Sequence, residues 1–69
     1  MIGNTIRELR KEKKMSQSEL GKFIGVSQTT VTAWETGRAE PSSTFVSKLA
    51  DLFNVSTDYL LGRSDSKKE

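Results

Sequence analysis

The residues with chemistry to offer lie close together, at Gln17 and between Ser27 and Thr36. On a helical wheel at about 100° per residue, positions 28–36 divide into two faces. Val31 and Trp34 set one direction, with Glu35 at its edge. Thr29, Ala33 and Thr36 point the other way, flanked by Gln28 and Thr32. That outward face carries no charge and no large apolar group, whereas an exposed helix more often carries lysine and glutamate, because threonine is a poor helix former. Such a face suits contact with base edges. A glutamine amide can pair with adenine N6 and N7, and threonine and alanine methyls can pack on a thymine methyl. A threonine-rich surface without a role is the plainer account of the same residues. Helix starts at Gln17 and Gln28 would also expose unpaired N–H groups that favour phosphate oxygens, and the Gln17 amide can add a hydrogen bond there. Its alternative is a first-turn side chain facing water.

Two short helices must hold these groups. Ser16 and Glu19 form an S-x-x-E capping box that starts the first. Leu20, Phe23 and Ile24 give it one apolar stripe. Gly25 ends it in the left-handed region, Val26 pins the corner as a buried residue, and Ser27 caps the second helix. Gly37 terminates that helix. Two capped helices this close, around one glycine, read as a helix-turn-helix.

The rest of the chain supplies the support. A first helix is expected over residues 5–13, capped by Asn4 or Thr5, with Ile6 and Leu9 continuing an apolar side from Ile2. It stops near Lys13–Lys14, where with no glycine present one of the lysines has to accept left-handed geometry at a cost of roughly 1 kcal/mol, and Met15 turns inward. After Gly37 the loop RAEPSS contains Pro41, which breaks the helix, and Ser42, a natural cap. Residues 43–53 carry the strongest helical period, with Phe45, Val46, Leu49, Ala50, Leu52 and Phe53 on one side. Asn54 can end that helix, Val55 sits at the corner, and Ser56 caps a last short helix over 57–61, closed by Gly62. The expectation is a compact all-α domain of five helices over residues 1–62. The remainder, 63–69, is a polar tail or the start of a linker.

Composition narrows the function. The chain has 69 residues and neither cysteine nor histidine. That removes disulfides, the usual zinc sites and most nucleophile–base pairs, so no cofactor, metal or catalytic residue is expected. No apolar run is long enough for a membrane span, which points to the cytoplasm. The net charge of +2 is a weak pointer to nucleic acid. Arg7, Arg10, Lys11, Lys13 and Lys14 crowd the first helix with Glu8 and Glu12 between them. A solvated face accounts for them as well as phosphate binding does.

At these residues the chain resembles the lambdoid phage repressor and Cro family, also called the XRE family. Gln17 opens the motif, Leu20 and Gly21 follow, and Ile24-Gly25-Val26 forms the turn. Val31 and Trp34 fill the inward positions, and Trp34-Glu35-x-Gly37 matches the family's W-E-x-G ending. IRELRKEK before the motif and KLADLFNVSTDYLLG after it match in kind and spacing, so the resemblance runs from about Ile2 to Gly62. It implies a lambda-repressor-like fold and a transcriptional regulator, of repressor type, that binds double-stranded DNA by sequence. The partner is a pseudo-palindromic operator read by a homodimer. Gln17 would hold a phosphate and Gln28 read an adenine, with Thr29, Thr30, Thr32 and Ala33 at bases or nearby phosphates. Ser27, Thr36, Arg38 and Ser43 fall where relatives clamp the backbone. Arg10 and Glu35 would form a partly buried ion pair. Leu52, Val55, Asp58, Tyr59 and Leu61 are candidates for the dimer face, with core packing the alternative for the apolar ones, Val55 and Leu61 above all. The tail resembles the start of the linker in longer phage repressors, a short complete regulator being the alternative. Three departures from the family pattern matter: Gly21 for alanine, Lys14 for glycine, and Ala33 for a polar residue. An antitoxin or anti-repressor module that grips a partner protein is the rival reading.

Overall fold

Left-handed residues set where every helix stops. The computed structural model describes residues 2–67, and among these only Lys14, Gly25, Gly37, Asn54 and Gly62 have positive φ. They follow α1 (Ile2–Glu12), α2 (Gln17–Ile24), α3 (Gln28–Thr36), α4 (Ser43–Phe53) and α5 (Thr57–Leu60) respectively. At each stop the next residue's N–H reaches back across the turn. Met15 donates to the Arg10 carbonyl at 3.1 Å, Val26 to Gly21 at 2.9 Å, and Arg38 to Ala33 at 3.0 Å. Val55 donates to Ala50 at 3.0 Å and Arg63 to Asp58 at 2.8 Å. These are Schellman turns, which satisfy carbonyls that the helix end would leave open.

Serines stand at the start of α2 to α5. Ser16, Ser27 and Ser56 accept from the backbone N–H of Glu19, Thr30 and Tyr59, and Glu19 returns the bond to Ser16 to complete the capping box. Ser42 holds the cap position of α4 without a side-chain bond.

The helices cross at angles that short connections allow, around a core that runs from Ile6 and Leu9 through Leu20, Val31 and Trp34 to Leu49, Phe53 and Leu60. Trp34 and Phe45 join α3 to α4 with ring centroids 5.6 Å apart. Two glycines permit the closest crossings. A Cβ on Gly3 would stand 2.4 Å from the Trp34 carbonyl oxygen, and one on Gly21 would stand 2.6 Å from the Val26 carbonyl oxygen.

Those glycines explain where the structure departs from expectation. α1 begins at Ile2 rather than residue 5, so Asn4 and Thr5 lie inside it rather than at its start. Packing of Gly3 on α3 extends the helix through a residue of poor propensity. Phe23 is 71% exposed instead of lining the stripe. With no side chain at Gly21, α2 settles onto the corner and turns Leu20, Gly21 and Ile24 inward, which carries Phe23 outward. Val26 is half-buried rather than buried, and α5 ends at Leu60, with Leu61 in the turn. The tail is not splayed over its described part. The Ser56 N–H donates to the Lys67 carbonyl, and Lys67 Nζ lies 3.5 Å from Glu12 Oε1.

Candidate nucleic-acid interface

The site is built outward from one carboxylate. Glu35 sits on the last turn of α3, where the close crossing at Gly3 presses α1 against it, and it is 2% exposed. Arg10 donates from Nε to Oε2 at 2.7 Å and from Nη2 to Oε1 at 3.1 Å, while its Nη1 donates to the Met15 carbonyl at 2.8 Å. The expected ion pair is therefore present as a bidentate fork that also holds the α1–α2 turn. Gln17 Nε2 donates to Oε1 at 3.0 Å, and Arg7 Nε approaches the same oxygen at 3.5 Å. Burial by itself raises the Glu35 carboxyl. The hydrogen bonds from Arg10 and Gln17, the Arg10 charge and Arg7 outweigh it and hold the group below the usual carboxylate range.

From Glu35 the bonds run to the surface. The Gln17 amide gives its N–H to the carboxylate, so its oxygen faces α3, where it accepts from Gln28 Nε2 at 3.1 Å and Thr32 Oγ1 at 2.9 Å. A carboxylate only accepts, which fixes the direction of the whole series. Arg10, Glu35, Gln17 and Gln28 form one oriented line from the α1–α3 contact to an exposed amide. Among the described residues no buried side-chain nitrogen or oxygen lacks a partner.

The other expected residues divide. Thr36 is exposed and donates to the Thr32 carbonyl at 2.9 Å, and Thr32 also reaches the Gln28 carbonyl at 3.1 Å. The Thr36 hydroxyl is thus turned back along the helix, while the single Thr32 proton is shared between the Gln17 amide oxygen and the Gln28 carbonyl. Thr30 shares a 3.0 Å bond with the Ser27 hydroxyl and completes the cap of α3. Thr29 is exposed and Ala33 half-buried on the same face. Arg38 and Ser43 are exposed, and no bond joins their side chains to the glutamine cluster. Ser43 instead lines a cavity of about 370 Å³ with Pro41, Val46, Ser47, Thr57 and Leu61. One residue, Gly3, escaped the sequence reading, and Arg7 entered it only as one of a basic group on the first helix. Gly3 and Arg7 share the α1 edge of Ile6 and Arg10, at the i, i+3, i+4, i+7 spacing that marks a helix face.

A family model described as helix-turn-helix matches residues 6–60. This chain belongs to that family. Within it the likeness is to repressors of the XRE type. Repressor protein C2 of Salmonella phage P22 is 38% identical over 61 residues, which are 88% of this chain and 28% of that repressor's own length. A crystal structure of the P22 c2 repressor with a synthetic operator superposes with a TM-score of 0.86 at 36% identity, covering 93% of this helix-turn-helix chain and 97% of the solved one. SinR, a master regulator for biofilm formation, solved in complex with DNA, gives a TM-score of 0.80 at 37% identity, with 88% and 98% covered. The five-helix all-α fold is that of these neighbours. Among the described residues no helix is long and apolar enough to cross a membrane.

Proposed function

We propose that this chain binds double-stranded DNA by sequence and acts as a transcriptional regulator of the repressor type. α3 enters the major groove, α2 crosses the backbone at Gln17, and a homodimer reads two half-sites about 34 Å apart. The reading rests on the oriented Gln17–Gln28 pair. With one N–H of Gln28 held by Gln17, the amide retains an oxygen acceptor beside a second N–H donor. Adenine presents the complement, its N6 donor beside its N7 acceptor, whereas guanine presents two acceptors at O6 and N7. The amide in this orientation selects adenine. Thr29, Thr32 and Ala33 line the groove with methyls suited to thymine, and Ser27, Thr30, Thr36, Arg38 and Ser43 stand near the backbone.

The P22 c2 repressor and SinR were each solved with DNA, which supports carrying that partner to this chain. Residues 1–62 form the binding domain, and the work of the site is recognition rather than catalysis, in the cytoplasm where operators are found. Half-buried Leu52, Val55, Asp58 and Tyr59, with Leu61 at 41% exposure, offer the dimer face. The rival, a module that grips a protein, would call for large apolar groups on the outside of α3. That face has none.

Selection of bound duplexes from a random pool should return a two-fold symmetric site with adenine at one position of each half. Gln28→Ala should weaken the selected duplex by about 1–3 kcal/mol and relax that position. Equal loss on selected and random duplexes would reject base reading by Gln28.

A further inference from the structure

The two arginines on Glu35 are not equivalent. Arg10 commits all three nitrogens to the fold, two to Glu35 and one to the Met15 carbonyl, and its side chain is 11% exposed. It already supplies the bidentate pairing the carboxylate needs. Arg7 adds only an Nε contact at 3.5 Å, the outer limit of a hydrogen bond, and its side chain is 43% exposed. Neither Nη of Arg7 has a partner among the described residues. A guanidinium in water that touches a satisfied carboxylate contributes little to stability. Its fork is free for another anion.

The surroundings say which anion. On α1 at about 100° per residue, Arg10, Arg7 and Lys11 fall within about 100° of one another, while Glu8 and Glu12 lie beyond them on the solvent side. The charges that alternate in sequence are thus segregated in space, and the basic edge is the one facing Glu35. Glu12 is turned toward Lys67 instead. Two arginines against one glutamate leave a positive excess at this point. Arg7 and the Gln17 amide also converge on the same oxygen, Glu35 Oε1, at 3.5 and 3.0 Å. The second N–H of Gln17 has no partner among the described residues, so an anion seated on it comes within reach of the Arg7 fork.

We infer that Arg7 and Gln17 together hold one backbone phosphate, with Arg7 supplying the charge and Gln17 the fixed position. This rests on the DNA-binding reading above. Arg7 also offsets the negative charge of Glu35, which would otherwise repel a phosphate at that place. Being a phosphate contact, it strengthens binding to every sequence and carries no base preference.

The test is duplex binding across a range of salt for the unaltered chain, Arg7→Gln and Arg7→Lys, on the selected site and on an unrelated duplex, with thermal melts of all three. Arg7→Gln should lower affinity several-fold on both duplexes and make the slope of log K against log salt shallower by about 0.9, the release of one counterion. Arg7→Lys should keep the slope, and all three melting temperatures should agree closely. An unchanged slope in Arg7→Gln overturns the assignment, as does a loss confined to the selected site. A lowered melting temperature with an unchanged slope would mean that Arg7 only steadies Glu35, and also overturns it. Failure of the unaltered chain to bind duplex in a salt-dependent way defeats the DNA reading itself, separately from the role of Arg7.

Discussion

The corner between α2 and α3 and the corner between α4 and α5 are written in nearly the same letters. Each has a left-handed residue, a valine and a serine: Gly25–Val26–Ser27 and Asn54–Val55–Ser56. Each valine N–H reaches back five residues, at 2.9 and 3.0 Å, and each serine hydroxyl accepts from three residues on, at 3.1 and 3.0 Å. The helices beyond the corners differ. α3 has nine residues, is tied at its far end by Glu35 and presents an uncharged polar face. α5 has four residues, is pinned by the fully buried Leu60 and presents Tyr59, with Leu61 exposed in the turn beyond it. A shared turn fixes how two helices meet. What the second helix does follows from how it is anchored, by directional bonds that orient side chains or by burial that orients nothing.

Removing the two anchors should therefore give losses of similar size but different character. Glu35→Ala leaves Arg10 buried without its partner, a change that costs about 3–5 kcal/mol. That approaches the whole stability of a domain this small, at about 0.05–0.15 kcal/mol per residue. Leu60→Ala opens a cavity and should cost about 2–5 kcal/mol. Acid separates them. Because the folded Glu35 carboxyl lies below its ordinary value of 4.5, the unfolded chain binds the proton first as pH falls. Stability from this group is complete above about 4.5 and is lost as pH drops through the lower folded value. Glu19 acts in the same direction, its carboxylate held down first by the Ser16 backbone N–H and then by the Ser16 hydroxyl. Urea titrations from pH 6 to pH 3 should show Leu60→Ala falling in parallel with the unaltered chain and Glu35→Ala falling less steeply. Parallel curves for Glu35→Ala would remove the carboxylate as the titrating anchor.

The directional anchor makes a finer claim. If Glu35 orients Gln17 and Gln17 orients Gln28, then Gln17→Met frees the Gln28 amide to turn over. Discrimination between adenine and guanine at the contacted position should shrink by about 1 kcal/mol, in addition to the uniform loss from a missing phosphate contact. From the sequence Gln17 is expected only to hold a phosphate, which implies the uniform loss alone. Competition binding with duplexes differing at one base pair measures the two separately, and an unchanged adenine-to-guanine ratio would cut the link between the two glutamines.

Both corners were legible in the sequence because their signals are local: a left-handed residue, a corner valine and a serine cap are each decided within five residues, although Val26 is less buried than expected. The long period of α4 and the inward pair Val31 and Trp34 were legible for the same reason. What the sequence concealed depends on contacts between distant segments. Gly3 looks like a weak start for a helix until the carbonyls of Trp34 and Glu35 are placed over it. Phe23 fits a stripe until Gly21 rotates α2. Glu35 was expected to pair with Arg10, but the Gln17 amide and Arg7 that meet the same carboxylate come from α2 and α1 and were not foreseen. The residues of the candidate interface were visible by type and spacing; the bonds that join Gln17, Gln28 and Thr32 were not.

Caps test the similarity of the corners directly. Ser27→Ala and Ser56→Ala each remove one bond to a helix-start N–H and should each cost about 1 kcal/mol, seen as similar shifts in the urea midpoint. Only Ser27→Ala should also weaken DNA binding, since α3 carries the base-reading face. A loss of DNA affinity from Ser56→Ala larger than its stability loss would show that the second corner takes part in recognition, and the contrast between the corners would fail.

The smallest effects concern the left-handed residues themselves. A Cβ at position 25 would meet nothing within 4 Å, so Gly25→Asn, which writes the second corner's residue into the first, meets only the backbone preference. Asparagine tolerates this region best among residues with side chains, and the loss should stay below about 1 kcal/mol. Asn54→Gly should change stability by about as little. Lys14 is the sharper case. At φ 58 it closes α1 with the same backbone pattern as the glycines, and its neighbour Met15 is held both by the turn and by Arg10. Glycine there relieves a strain of roughly 1–2 kcal/mol but loses about 0.5–1 kcal/mol to the greater freedom of the unfolded chain. Lys14→Gly should therefore raise the melting temperature slightly. A fall instead would mean that the lysine side chain contributes to the turn more than the strain removes.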